Sequence, residues 1–141
     1  MARIKLELPD VFSFSTELTV RITDLNYGGH LGNADTLVLI HEARVRFLKS
    51  HGYSEIDIEG YGTIMLDAVI QFKSQAFAGD VLAAEVAAAD FSRLGCDIFY
   101  RLTNKETGTV VATAKTGVAV FDYENQKRVS PPDAFVKKLQ V

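Results

Sequence analysis

The sequence predicts an α+β fold: one long helix lying across a five-stranded antiparallel sheet. Three observations predict it. A single long stretch, residues 33–50, repeats its apolar residues at helical spacing. Five other stretches alternate apolar with polar residues, the pattern of strands that bury one face. The strands in the second half are joined by short turn-like segments, which implies antiparallel neighbours.

The first strand is expected over residues 13–22, SFSTELTVRI, where Leu18, Val20 and Ile22 alternate with Thr19 and Arg21. A polar, glycine-rich loop follows and runs straight into the helix. Asn33 is a good N-cap, and Asp35 in the first turn suits the positive end of the helix dipole. The helix should end near Ser50, before Gly52. Leu37, Ile40, Arg44, Phe47 and Leu48 share one face, with Asp35, Glu42, Arg46 and Lys49 opposite.

Four more strands follow. Ile64, Leu66, Ala68, Ile70 and Phe72 form one face of the first, opposite Asp67, Gln71 and Lys73. In the second, Leu82, Ala84, Val86 and Ala88 oppose Glu85. In the third, Cys96, Ile98, Tyr100 and Leu102 oppose Asp97, Arg101 and Thr103. In the last, Val110, Ala112, Ala114, Val118 and Val120 oppose Thr113 and Lys115. Turns are expected at Ala78-Gly79-Asp80, at Phe91-Ser92-Arg93 and from Asn104 to Gly108. The inward alanines leave room for a helix to sit close. Pro131-Pro132 ends the sheet region, and Asp133 to Leu139 reads as a short terminal helix.

The 141 residues fit one domain, residues 1–141, and a hydrophobic content of 48% supports a real core. The net charge of −3 argues against a nucleic-acid partner. Cys96 is alone, so no internal disulfide forms, and a cytoplasmic protein is expected. Residues 1–10 lack the apolar core of a signal peptide. No apolar run approaches the roughly 20 residues of a membrane span. No His/Cys/Asp cluster has metal-ligand spacing, so neither metal nor other cofactor is expected.

The candidate chemistry gathers in residues 24–48, DLNYGGHLGNADTLVLIHEARVRFL. A glycine-flanked turn feeding a helix N-terminus offers N–H groups and a positive dipole end to an acceptor oxygen. Ionisable side chains stand on both sides of that point. Such an arrangement suits the polarisation of a carbonyl and attack upon it. His30 either orients water or substrate, or braces the turn. Asn26 cannot titrate, but it can orient a water or hold a carbonyl; equally, it suits a turn. Asn33 contributes backbone N–H donors at the helix start, whether or not it also caps the helix. Asp35 and Glu42, two turns apart, are candidates for a general base or carboxylate nucleophile. Against that, Glu42 is placed to pair with Arg46 at i,i+4.

Arg44, on the apolar face, needs partners and is expected to pair with a strand carboxylate such as Asp67. His41 reads as a core or interface histidine and Cys96 as inert. Lys73, Arg93, Arg101, Lys115 and Arg128 are either ordinary surface charges or contacts for phosphates.

The segment resembles the opening of the hotdog-fold acyl-CoA thioesterases of the 4-hydroxybenzoyl-CoA thioesterase type, D-x-D-x-x-G-H-V-N-N-A-x-Y and then a helix ending in E-A-R. Asp24, Gly29, His30, Asn33, Ala34, Glu42, Ala43 and Arg44 match, and Leu31 stands for a similar residue. Asn26 stands where the second Asp belongs, Gly32 where the first Asn belongs, and Thr36 where the Tyr belongs. In many relatives that second Asp is the catalytic carboxylate. Val69-Ile70-Gln71-Phe72 followed by Gly79-Asp80-Val81-Leu82 looks like the family's I-x-F … G-D-x-L. The resemblance spans residues 14–122. It implies a hotdog fold and hydrolysis of acyl-CoA thioesters to free acid and coenzyme A. It also implies a homodimer joined edge to edge, with sites at the subunit boundary, and two dimers forming a tetramer. Hotdog hydratases have different His and acid contexts, which this loop does not resemble. A non-catalytic acyl-CoA-binding module is the alternative that Asn26 keeps open. The negative net charge favours coenzyme A over an acidic carrier protein as the thiol partner.

Overall fold

The computed structural model describes residues 1–140; Val141, the end of the expected domain, lies outside them. In chain order the elements are β1 (Phe14–Thr19), α1 (Asn33–Ser50), β2 (Gly62–Phe72), β3 (Val81–Ala89), β4 (Gly95–Asn104), β5 (Val110–Asp122), β6 (Lys127–Val129) and α2 (Asp133–Leu139). The strands form one antiparallel sheet in the order β1-β3-β4-β5-β2, with β6 added to β5. The fold is therefore the expected α+β arrangement, but the sheet has six strands rather than five. The extra strand has only three residues, too few to show alternation. A turn makes it: the Asp122 carboxylate accepts from the N–H groups of Glu124 and Asn125, and β6 returns along β5.

The inward face of the sheet is as expected. Ala84, Ala88, Ala112 and Ala114 are all buried, as are Leu82, Ile98, Tyr100, Leu102, Val118 and Val120. Small side chains at these positions let α1 lie close. Its core face is Thr36, Leu39, Ile40, Ala43, Arg44, Phe47 and Leu48. Leu37 departs from expectation: it is 41% exposed, and Leu39 and Ala43 take the place assigned to it. The buried arc of the helix runs through Thr36, Leu39, Ile40, Ala43, Arg44 and Phe47, and Leu37 lies to one side of it.

Three further expectations need correction. β1 ends at Thr19 rather than at Ile22, and residues Ile22–Asp24 form a 3-10 turn that leaves Ile22 78% exposed. Val20 remains extended and bonds to the crossover segment, giving its N–H to Asp80 O and accepting from Gly79 N–H. The turn at Ala78-Gly79-Asp80 does not join neighbours. β2 pairs with β5 and β3 with β1 and β4, so residues 73–80 cross from one side of the sheet to the other. The β3–β4 and β4–β5 turns do join neighbours. Finally, β2 is an edge strand whose register slips between Met65 and Asp67. The bulge at Leu66 breaks the alternation, leaving Leu66 43% and Phe72 52% exposed.

The N-terminal segment lies against the outer face of the sheet. The Arg101 guanidinium sits 4.8 Å from the centre of the Phe12 ring, and the Gln71 amide donates to the Ile4 carbonyl. On the inner face, Cys96 is 6% exposed, and burial pushes its thiol up to about 12. A buried thiol that stays protonated is a poor nucleophile. Cys96 should therefore react with a disulfide reagent at pH 8 only as fast as the protein unfolds. Titration in buffer against titration in denaturant checks this, and rapid reaction of the folded protein would place the thiol outside the core.

Candidate functional site

The loop between β1 and α1 is built on Asp24. This residue is 2% exposed, and its carboxylate accepts from the Arg21 backbone N–H at 2.8 Å and from Arg21 Nη2 at 3.0 Å. The Arg21 hydrogen bond holds the Asp24 carboxyl below the usual carboxylate range. The Asp24 carbonyl accepts from Gly32 N–H at 3.0 Å, and Leu31 N–H donates to Ala76 O on the crossover at 2.7 Å. These two bonds set where α1 begins.

Gly32, not Asn33, is the N-cap. The position is extended, and its carbonyl accepts both Thr36 N–H and Thr36 Oγ1. Asn33 is the first helical residue, and its Oδ1 accepts from Ala34 N–H at 2.7 Å. The Asn33 N–H points out of the helix start, with no backbone or side-chain acceptor among the described residues.

Within the loop, Asn26 Oδ1 accepts from Gly28 N–H at 2.9 Å, and Asn26 N–H donates to His30 O at 2.9 Å. Asn26 is thus a turn residue. With Oδ1 engaged, its amide nitrogen is the group left for other partners. A Cβ at Gly28 would stand 3.0 Å from His30 Nε2 and 3.3 Å from Asn26 Oδ1, so the glycine makes room for both. Phe77 meets the His30 ring edge-on, with the centroids 6.5 Å apart.

Asn26, His30 and Asn33 line one cavity of about 450 Å³, together with Leu31, Phe72, Lys73, Ser74 and Gln75. Asp35 stands beside it. Its Oδ2 lies 2.6 Å from where a Gly32 Cβ would be, and that same point is 3.5 Å from Asn26 Cβ. Glu42 is elsewhere. It lines a groove with Glu17, Leu18, Thr19, Arg21, Val38, Leu39 and Arg46, and pairs with Arg46 at 3.7 Å. The structure therefore brings Asn26, His30 and Asn33 together with Asp35 nearby, and leaves Glu42 apart. Phe72, Ser74 and Gln75 were not expected at the site. Phe72 ends β2 and belongs to the segment that resembles the family's I-x-F, whereas Ser74 and Gln75 arrive on the crossover and no local pattern marks them. Of the basic residues considered, Lys73 reaches this cavity.

Arg44 is buried as expected, but it does not pair with Asp67. Its Nη1 donates to Tyr100 Oη at 3.3 Å, and Tyr100 Oη bonds Thr116 Oγ1 at 2.7 Å. Glu55 Oε2 stands 3.5 Å from Arg44 Nε, and Glu55 Oε1 holds His41 Nε2 at 2.5 Å. Asp67 is taken instead by Lys115 Nζ at 2.8 Å and Gly117 N–H at 3.0 Å, and the Lys115 hydrogen bond lowers its pKa. His41 is 56% exposed at its side chain and so is not a core residue. Among the described residues, no group of three or more His, Cys, Asp or Glu could hold a metal ion. No helix among them is long and apolar enough to cross a membrane.

A helix start that lines a cavity with an unbonded N–H, an amide and an imidazole, and a carboxylate nearby, is of the kind that can polarise a carbonyl and direct water at it. The thioesterase-like superfamily model matches residues 20–139, and the chain belongs to that family. Its architecture is the hotdog fold, shared with a 1,4-dihydroxy-2-naphthoyl-CoA thioesterase from Synechocystis. That protein is 22% identical, with a TM-score of 0.81 over 89% of this chain and 94% of the other. A hypothetical protein from Staphylococcus aureus, solved in complex with CoA, is 19% identical, with a TM-score of 0.79 over 94% of this chain and 85% of the other. A probable thioesterase from Escherichia coli is 20% identical, with a TM-score of 0.72 over 89% and 96%. No curated protein matches the sequence.

Asp24 has a lowered folded-state pKa, so its stabilising effect is present above the unfolded carboxylate value of about 3.9 and is lost as pH falls through the folded one. Asp24→Asn should therefore flatten the acid limb of the stability curve below about pH 4. Denaturant melts of both proteins from pH 2 to 7 test this; parallel acid limbs would show that Asp24 does not contribute. Separately, Gly32→Ala should displace the Asp35 carboxylate, because the two would stand 2.6 Å apart. That carboxylate ends a rotatable side chain and turns aside cheaply, so what remains is the preference for Gly over Ala at an N-cap, below about 1 kcal/mol, read as a slightly lower denaturant midpoint with unchanged m-value.

Proposed function

We propose that the protein hydrolyses acyl-CoA thioesters to the free acid and coenzyme A. The observation that carries this is one cavity lined by Asn26, His30 and Asn33 at the helix start, with the Asp35 carboxylate close by, next to Gly32. The thioester carbonyl oxygen takes the Asn33 N–H and the free amide hydrogens of Asn26. His30 orients a water, and Asp35 receives its proton. The water oxygen bonds to the carbonyl carbon, the C–S bond breaks, and the thiolate leaves with a proton returned from the carboxyl. The helix dipole and N–H donors act where negative charge develops. Lys73 at the cavity rim is suited to a CoA phosphate. The CoA-bound structure of a protein of the same fold supports this choice of thiol.

The same reading includes a homodimer. β2 presents an open edge of eleven residues, with Met65, Leu66 and Phe72 exposed. Open edges of that length invite pairing. The opposite edge is shorter and partly covered. Arg46 Nη1 donates to the Glu17 carbonyl and to Thr16 Oγ1, and Lys105 reaches the Glu17 carboxylate. Edge-to-edge pairing through β2 follows, with two dimers forming the tetramer.

Asn26, in place of a carboxylate, favours a second reading: an acyl-CoA-binding module without turnover. A thiol-release assay across a panel of acyl-CoA esters separates the two. Hydrolysis is expected, and binding without thiol release would support the module. Asp35→Asn should lower turnover by about 10²–10⁴-fold with the fold intact, while Glu42→Gln should change it only a few-fold. If both retain wild-type rates, neither helix carboxylate is the base. Light scattering at micromolar concentration should give a dimer or tetramer, and a stable monomer would rule out pairing through β2.

A further inference from the structure

The N-terminal segment crosses the outer face of the sheet toward the strand that leads into the cavity. Residues 1–13 precede β1 and belong to no ladder. Two contacts fix their course. The Arg101 guanidinium of β4 covers the Phe12 ring, and the Ile4 carbonyl accepts from the Gln71 amide of β2. Gln71, Thr113 and Arg101 pair in one row across β2, β5 and β4. The segment therefore runs from the middle of the sheet to its β2 edge. Leu6 and Leu8 are half-buried while Lys5 and Glu7 are exposed, the alternation of an extended chain with one face down.

Arg3 and Lys5 flank Ile4 in the chain, so the bond to Gln71 anchors both. Lys73 is two residues past Gln71 and leaves the extended chain on the same side. Its N–H still bonds to Val111 O of β5 at 2.9 Å. Lys73 also lines the cavity with Asn26, His30 and Asn33. Arg3, Lys5 and Lys73 are all exposed, and none has an ion pair among the described residues. Arg101, Lys105 and Lys115, by contrast, are each held by a carboxylate. On a chain of net charge −3, unpaired cations gathered at one corner reverse the local sign, which draws in a polyanion.

We propose that Arg3 and Lys5, carried to the cavity rim by the N-terminal segment, join Lys73 in binding the phosphate groups of coenzyme A. The inference rests on the hydrolase reading for the thiol partner, and it assigns the nucleotide end of that substrate. With the thioester carbonyl at Asn33, the pantetheine arm leaves past Ser74 and Lys73, and the phosphates meet the three cations outside. Arg offers phosphate oxygens a planar fork of donors and Lys a point charge. Gln71 is a positioning residue: by holding the Ile4 carbonyl it holds the two cations. The segment takes no part in bond breaking. It also lies outside residues 20–139, the stretch that matches the family, so this contribution belongs to the chain's own N-terminal sequence.

Calorimetric titration of the full-length protein with coenzyme A, and with pantetheine, which lacks the phosphates, tests this without requiring turnover. The double variant Arg3→Gln/Lys5→Gln should bind coenzyme A about 10-fold more weakly than the wild type, the upper range for two exposed ion pairs. Its affinity for pantetheine should not change. The loss should shrink as salt approaches 1 M, where screening acts within about 3 Å. Gln71→Leu removes no charge, yet should weaken coenzyme A binding in the same way by freeing the segment. Lys127→Gln, on β6 beside the start of β2, removes a cation elsewhere and should change neither affinity. In the thiol-release assay the double variant should raise KM and leave kcat unchanged. Intact coenzyme A affinity in the double variant, an equal loss toward pantetheine, an equal loss in Lys127→Gln, or no binding of coenzyme A by the wild type would each overturn the proposal. The expected loss of binding without thiol release by any of the proteins would leave it standing and overturn only the hydrolysis. Hydrolysis with an unaltered KM in the double variant would do the reverse.

Discussion

The start of α1 is clamped between two segments far apart in sequence, and the polar groups of the cavity take their places from that clamp. Gly32 N–H is bonded to the Asp24 carbonyl, and Leu31 N–H to the Ala76 carbonyl on the crossover. Buried backbone groups must be paired, and these two are paired, one with each side of the clamp. The next N–H, that of Asn33, has no backbone acceptor among the described residues, and Asn33 lines the cavity. Asp24 holds the loop side of the clamp through its bonds to Arg21. Ala76, fully buried, holds the crossover side. Were either side to move, the helix start, His30 and the crossover residues would lose their common register.

The long helix can lie this close because the sheet meets it with alanines. That closeness also buries Arg44, whose charge has to be met inside the fold. Tyr100 meets it from β4, itself bonded to Thr116 of β5, and Glu55 from the segment after the helix. A cation handled this way costs less than an unpaired one, yet one nitrogen, Nε, has no hydrogen bond among the described residues.

The two edges of the sheet differ for physical reasons. β1 is short and capped by Arg46 from the helix, which occupies a strand carbonyl that a neighbour would otherwise use. β2 is long, bulged and bare. Met65 and Leu66 line a cleft against α1, so association along β2 and enclosure of that cleft are one event in the proposed dimer. The N-terminal segment lies across the outer face, held at Arg101 and Gln71.

Local patterns determined a great deal. Alternation placed the core strands and the faces of β3, β4 and β5; helical spacing together with Ser50 and Gly52 bounded α1; and the glycine-rich loop entering a helix marked where Asn26, His30 and Asn33 would gather. These properties depend on neighbours within a few residues, and a linear reading has access to them. Strand order, the bulge in β2, the burial of Leu39 instead of Leu37, and the partners of Arg44 depend on where distant segments come to rest. So does the separation of Asp35 from Glu42, which share a helix face but meet different neighbours: the loop and Gly32 for one, the β1 edge and Arg46 for the other. Residue type and spacing fix what a side chain can do. Only packing decides which other side chains it does it with, because contacts between distant segments are set by the whole core at once.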